Sequence, residues 1–328
     1  METLQLSPLK INPSRVCLGT WAIGGWMWGG TDEKESIQTI LKAFDKGINI
    51  IDTAPAYGSG VSEEIVGKAL KTFGARDSII LATKVGLEWH NGKVFRNSSP
   101  ERLKKELEDS LKRLQTDYID IYQIHWPDTL VPFEETAKTL LDFLKNGKIK
   151  AIGVSNFSPN QMEIFRKTAP IHASQVPFNL FEREIESETL PYTEKSNICT
   201  LAYGSICRGL LSGKMNEKTV FKGDDLRNHD PKFQKPLFLE YLTAIEALNK
   251  FARDNYQKSV LALAARWVLD KGHTIALWGA RHPNQLDHID EVMGWKLDEN
   301  ALKKIDNILS EHIKHPVGPE FMAPPIRK

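Results

Sequence analysis

Cysteine is scarce in this chain: Cys17, Cys199 and Cys207 are the only three in 328 residues, an odd number with no CxxC pair. That argues against a disulfide framework or a structural zinc site and makes the cytoplasm the expected home. A surplus of either charge is also absent. Lys and Arg number 43 against 42 Asp and Glu, a net +1, which leaves no electrostatic reason to expect nucleic acid or an anionic membrane as partner. Long apolar runs are missing as well. The most apolar helical stretch, SVLALAARWVLDKG, is interrupted by Arg266, and the leading METLQLSPLKINPSR has no basic region followed by an apolar core, so neither signal nor anchor is expected.

Several motifs are lacking too. No GxGxxG opens a helix after a strand and no GxxxxGK[ST] occurs, which removes a Rossmann crevice and a P-loop. Without GxSxG a nucleophilic-serine hydrolase is disfavoured. His312 and His315, a close histidine pair, come without HExxH or a carboxylate arrangement, so a solvated helix end is expected there and no metal.

What is present is a repeating pattern. Eight short apolar or β-branched runs occur (VCLGTW, INIIDTA, SIILATKV, YIDIYQIHW, AIGVSNF, HASQVPF, ICTLAYGS and TIALWGA), interleaved with stretches of helical periodicity. Ser98 with Glu101 and Ser158 with Gln161 fit capping boxes. The pattern predicts an α/β chain, a single (β/α)8 TIM barrel over 1–328 with long surface loops and a C-terminal tail. The opening LQL and LKI are expected to close the barrel bottom as a small hairpin. The polar stretch EKTVFKGDDLRNHDPKFQKP, around 217–236, is expected as a long loop after the seventh strand, and HPVGPEFMAPPIRK as a coiled tail.

In such a barrel the carboxyl ends of the strands converge on one mouth. The second strand ends at Asp52 with Tyr57 just beyond, the third at Lys84, the fourth at His125. Each alone has a bland explanation; together they place an acid, a phenol, an amine and an imidazole at one rim, where an ion pair costs desolvation that stability rarely justifies. An ammonium beside a phenol favours tyrosinate, so Lys84 is expected to lower the Tyr57 pKa, with Asp52 holding Lys84 and His125 orienting a substrate carbonyl. Asp120, five residues before His125, falls on the opposite strand face, so a paired-carboxylate hydrolase fits poorly. Trp21, Trp26, Trp28, Trp89 and Trp126 fall near rim loops, and Trp21 and Trp126 are the expected walls of an apolar substrate pocket.

The motifs LGTW, DTAPAYG, TKVG, HWPD and IGVSNF resemble those of the aldo-keto reductases, most closely the bacterial, stress-associated members that share features with potassium-channel β subunits. The resemblance implies NADPH, a catalytic tetrad of Asp52, Tyr57, Lys84 and His125, and reversible reduction of a small aldehyde or ketone. It also implies a cofactor-binding set. Ser155, Asn156 and Gln175 would hold the nicotinamide amide and Tyr203 would stack on the ring, with Thr20, Trp21 and Asp52 beside it. The loop Tyr203 to Lys214 would cover the pyrophosphate through Gly204, Ser205, Ile206, Cys207, Arg208 and Lys214. Gly279, Ala280, Arg281 and Gln285 would take the adenosine end, Arg281 facing a 2′-phosphate with Arg227 as a second clamp. A competing reading is a nucleotide-bound redox sensor or auxiliary subunit with slow turnover.

Overall fold

The computed structural model describes residues 1–90 and 92–327. Eight parallel strands form a closed barrel: β1 (Val16–Gly19), β2 (Ile50–Asp52), β3 (Ile80–Val85), β4 (Ile119–Ile124), β5 (Ile149–Ser155), β6 (Ala173–Pro177), β7 (Cys199–Tyr203) and β8 (Thr274–Gly279). Each strand pairs with its neighbour in the chain and β8 returns to β1, as right-handed β-helix-β crossovers require. The expected (β/α)8 barrel is what forms.

Strand alternation divides the core in two. Cys17, Ile50, Ile80, Ala82, Ile121, Ala151, Ala173, Cys199, Leu201, Ile275 and Leu277 face inward and fill the barrel, while Leu18, Ile51, Leu81, Tyr122, Ile152 and Trp278 face out under the helices. The helices cover that outer face: α1 (Glu33–Asp45), α2 (Val61–Phe73), α3 (Pro100–Leu114), α4 (Phe133–Lys145), α5 (Pro159–Arg166), α6 (Thr189–Lys195), α7 (Leu237–Tyr256), α8 (Val260–Leu269) and α9 (Glu299–His312).

The chain start does close the bottom. Thr3 and Ser14 form an antiparallel bridge, and Leu6, only 2% exposed, caps the barrel interior with Leu4, Leu9 and Ile11 against it. The capping box at Ser158 and Gln161 forms in both directions. The one expected at Ser98 does not: Pro100 occupies the first helical position, so Ser99, extended as a residue before proline must be, becomes the N-cap. A hairpin of Leu87–His90 and Lys93–Arg96 rises beside the mouth, with Leu87 and Val94 in the cavity lining. The 217–236 segment is a loop, yet it is anchored, with Asp230, Lys232 and Phe233 buried. The tail is fastened as well, through Arg96 to the carbonyls of Pro324 and Pro325 and through Arg327 to Asp128. Among the described residues no helix is long and apolar enough to cross a membrane.

Candidate active site

The inward phase of each strand, continued to its carboxyl end, lands on a polar side chain. Asp52 follows Ile50, Lys84 follows Ala82, Gln123 and then His125 follow Ile121, and Gln175 follows Ala173. The backbone under Asp52 is pinned by its neighbours. Its carbonyl accepts from Thr20 N–H at 3.0 Å and Thr20 Oγ1 at 2.9 Å, and a buried hydroxyl cluster of Thr20, Ser62 and Thr53 backs it. The Thr20 hydroxyl is thus bound to Asp52, while Thr20 still forms part of the cavity lining.

Tyr57 is carried by the loop after β2, and two glycines set its place. Gly58 adopts φ +66°, and a Cβ there would lie 2.1 Å from the Gly24 carbonyl oxygen; a Cβ on Gly24 would lie 2.6 Å from the Tyr57 carbonyl carbon. Only bare backbone lets the β1 loop press so closely on the tyrosine. Its ring stacks on Trp21 at 6.0 Å and meets the His125 ring edge-on at 5.9 Å.

Lys84 stands at the centre of the polar cluster, 1% exposed. Its Nζ pairs with Asp52 Oδ1 and donates to the Tyr57 hydroxyl at 3.0 Å and the Thr53 carbonyl at 3.1 Å. The second Asp52 oxygen accepts from Gln123 Nε2 at 3.0 Å and Gln175 Nε2 at 2.8 Å. The sequence reading overlooked Gln123, although strand alternation puts it on the same inward face as His125, two residues on. It also assigned Gln175 to a cofactor amide, whereas its N–H groups are taken by Asp52 and by Gln123 Oε1.

Burial and charge compete here. Burial works to lower the Lys84 pKa, but Asp52 and the Tyr57 oxygen outweigh it and raise it above the ordinary value. For Tyr57 the expected lowering is not found: burial pushes its pKa up, and Lys84, pulling down, only partly offsets this. The reason is that much of the ammonium's charge is already answered by Asp52. Burial, aided by Lys84, drives the His125 pKa well below the imidazole range, so its ring is neutral at pH 7.

A cavity of about 530 Å³ opens over this cluster. Trp21, Trp26, Trp28, Trp126, Leu87, Val94, Met322 and Pro324 wall one part of it; Trp89 does not line it, but stacks edge-on against Trp26 at 4.9 Å. Ser155, Asn156, Gln175 and Tyr203 line the part across from Tyr57. Asn156, held at φ 62°, donates to the His125 carbonyl at 3.2 Å and accepts from the Tyr203 hydroxyl at 3.0 Å. Gly204, Ile206, Gly279, Ala280 and Gln285 continue the lining toward Lys214, Arg227 and Arg281.

On this second flank several side chains are occupied otherwise than expected. Ser205 is buried with its hydroxyl on the Ala202 carbonyl at 2.7 Å, and Cys207 is buried in the core, so neither side chain is offered to the mouth. Arg208, 7% exposed, gives its guanidinium to Glu182 at 2.5 Å and Asp230 at 2.7 Å, with Lys232 Nζ 2.9 Å from Glu182. Two nearby carboxylates thus balance it, although Arg208 also lines the cavity. Arg227 forks onto Asp225 at 2.9 and 2.6 Å and lies over the Phe221 ring. Arg281 donates to the carbonyls of Trp28 and Gly30, both at 2.5 Å, and Gln285 Oε1 accepts from the Arg281 and His282 N–H groups. Lys214 lines the same cavity.

The whole arrangement, a phenol between an ammonium and an imidazole under apolar walls, suits proton donation to a carbonyl oxygen. The chain is 60% identical over 329 residues to aldo-keto reductase YhdN of Bacillus subtilis (strain 168), covering 100% of this chain and 99% of that one. It is 34% identical over 302 residues to the NADH-specific methylglyoxal reductase of Escherichia coli (strain K12), covering 87% and 91%. Its fold superposes on the glycerol dehydrogenase AKR11B4 from Gluconobacter oxydans with TM-score 0.89 and 53% identity, covering 98% and 99%. The model of the aldo/keto reductase family matches residues 15–310, and the chain belongs to that family of oxidoreductases.

Proposed function

We propose that this chain reduces small aldehydes or ketones to alcohols with NADPH, reversibly, and that Tyr57 is the proton donor. The observation that carries this reading is the placing of Lys84 between Asp52 and Tyr57, with the phenol facing the cavity. Tyr57, kept protonated through neutrality by burial, holds the proton at its hydroxyl oxygen. As that proton leaves, the phenolate that remains lies 3.0 Å from Lys84 Nζ, and the fixed ammonium stabilises it without rearrangement. His125, neutral, has N–H capacity to orient the carbonyl oxygen toward Tyr57. Trp21 and Trp126 exclude water from the reacting centre.

The residues fit a nicotinamide dinucleotide. Ser155, Asn156 and Gln175 offer polar atoms to a carboxamide and Tyr203 offers a ring face, while Lys214, Arg227 and Arg281 gather cationic groups at the far end of the same cavity. Arg281 donates to neutral carbonyls, with the Asp225 carboxylate near enough to feel its charge, and its guanidinium keeps the forked geometry that suits a phosphate. When bound, the reduced dinucleotide supplies the hydride equivalent, and the protein supplies orientation and the proton.

The test is turnover by the purified chain against a carbonyl panel that includes methylglyoxal, dihydroxyacetone and an aromatic aldehyde, with NADPH and with NADH. Steady oxidation of NADPH, faster than that of NADH, is the expected result. Tight NADPH binding with negligible turnover across the panel would overturn the reductase reading in favour of a sensor.

A further inference from the structure

Gln123 has no place in the reaction above, yet it is fully buried at the polar centre of the barrel. It pairs in register with Lys84 on β3 and Gly153 on β5. A Cβ on Gly153 would stand 2.6 Å from Gln123 Cγ, so the absence of a side chain there gives the amide its room. A buried amide is costly unless its polar atoms are answered. Here Nε2 donates to Asp52 Oδ2 at 3.0 Å, and Oε1 accepts from Gln175 Nε2 at 3.1 Å. Gln175 Nε2 gives its other hydrogen to Asp52 Oδ2 at 2.8 Å.

Chemistry fixes the direction of this chain of bonds. An ionised carboxylate only accepts, so both glutamines turn an N–H toward Asp52. Gln175 Nε2 then has no hydrogen to spare, and its Oε1, with no partner among the described residues, stays open to the cavity. We infer that Gln123 is a positioning residue: it steadies Asp52 against Lys84, and it locks Gln175 so that a carbonyl oxygen, a pure acceptor, meets the carboxamide N–H₂ of a nicotinamide ring. Without Gln123 the Gln175 amide loses the acceptor that holds its second hydrogen and is free to turn. This inference rests on the dinucleotide-dependent reduction proposed above.

Two variants and two readouts test it. Affinity is read by quenching of tryptophan fluorescence, with NADP⁺ and with its 3-acetylpyridine analogue, in which a methyl ketone replaces the carboxamide and no N–H is left. The wild type is expected to prefer NADP⁺ by about 3- to 10-fold, the worth of one net hydrogen bond, and Gln123→Leu to bring that ratio near one. Gln123→Glu supplies the second readout. Protonated, its O–H donates to Asp52 and its C=O accepts from Gln175, rebuilding the network; ionised, it sets a second negative charge against Asp52.

The ionisable groups around that position are Asp52 on β2, Lys84 on β3, the buried Cys17 thiol on β1 that faces Asp52 and Lys84 and, beyond Lys84, Tyr57 and His125. Reductase kcat/KM of Gln123→Glu is therefore expected to approach wild type on the acid side and to fall several-fold through neutrality, where the wild-type profile stays level. An unchanged NADP⁺-to-analogue ratio in Gln123→Leu, or a Gln123→Glu profile that superposes on wild type, overturns the inference. Should Gln123→Leu not fold, the near-isosteric Gln123→Glu decides. A wild type that binds no dinucleotide would instead remove the proposed function itself; binding and turnover indifferent to both variants would remove this inference alone.

Discussion

Two of the buried ion clusters among the described residues differ in what they leave free. On the β2–β4 flank Lys84 is paired to Asp52 and still reaches the Tyr57 hydroxyl at the cavity. On the β6–β7 flank Arg208 and Lys232 are balanced by Glu182 and Asp230, all four nearly without exposure. The first has one cation shared between a carboxylate and a phenol; the second has two cations for two carboxylates. An ion cluster that closes on itself holds loops together, whereas one with a cation left reaching outward can act on a bound molecule. Arg208 sits at φ 53°, beside Gly209 at φ 87°, so the closed cluster fixes a left-handed turn joining the β7 loop to the 225–236 segment.

The sharpest way to break this contrast is to remove the free end of the first cluster. Tyr57→Phe is expected to lose roughly 10²- to 10⁴-fold in carbonyl reduction, the range of a lost general acid, with dinucleotide affinity and melting temperature close to wild type. Steady-state kinetics beside a fluorescence titration measure this. Turnover equal to wild type would take Tyr57 out of the chemistry.

For the closed cluster the expectation is reversed. Asp230→Asn leaves Arg208 and Lys232 with a single carboxylate between them, and breaking a buried pair from one side costs about 3–5 kcal/mol. A urea or thermal melt should show the loss as a clear fall in midpoint. A melt superposing on wild type would mean that the cluster is not what holds the loop.

Lys84→Met sharpens the comparison from within the first cluster. Asp52 keeps the N–H donors of Gln123 and Gln175 but loses its cation, so the melting midpoint is expected to fall here too, and activity and its pH dependence are what separate this variant from Asp230→Asn. Activity should drop, and the alkaline limb of the reduction profile should move to higher pH. The sign follows from the charges: Lys84 lowers the Tyr57 pKa against burial, so removing it lets burial act unopposed and keeps the phenol protonated further into base. A pH profile unmoved by the substitution would count against the role given to Lys84.

The two flanks also differ in how far they could be read from sequence. Asp52, Lys84 and His125 follow from counting inward positions along regular strands, because alternation is a local property of the backbone. The same count reaches Gln123, two positions before His125 on the inward face. Tyr57 was legible through its glycine-rich loop. The fates of Ser205, Cys207 and Arg208 were not, since they depend on Glu182 and Asp230, distant in sequence, arriving at the same place. The Tyr57 pKa was misjudged for a related reason: one neighbouring charge can be inferred from a motif, but the depth of burial that opposes it is a property of the assembled fold.

Arg281 lies where those two kinds of legibility meet, and its substitution has the smallest expected effect. Sequence reasoning gave it a 2′-phosphate; the structure gives it the carbonyls of Trp28 and Gly30. Both roles are compatible, because carbonyls orient a guanidinium without neutralising it, and a forked donor fixed at one edge loses less freedom on meeting a phosphate at the other. Arg281→Ala is then expected to weaken NADPH by about 3- to 10-fold, the scale of one hydrogen bond to a partly solvated group, and NADH by less. Equal losses for the two dinucleotides would show that the guanidinium serves the Trp28 loop alone.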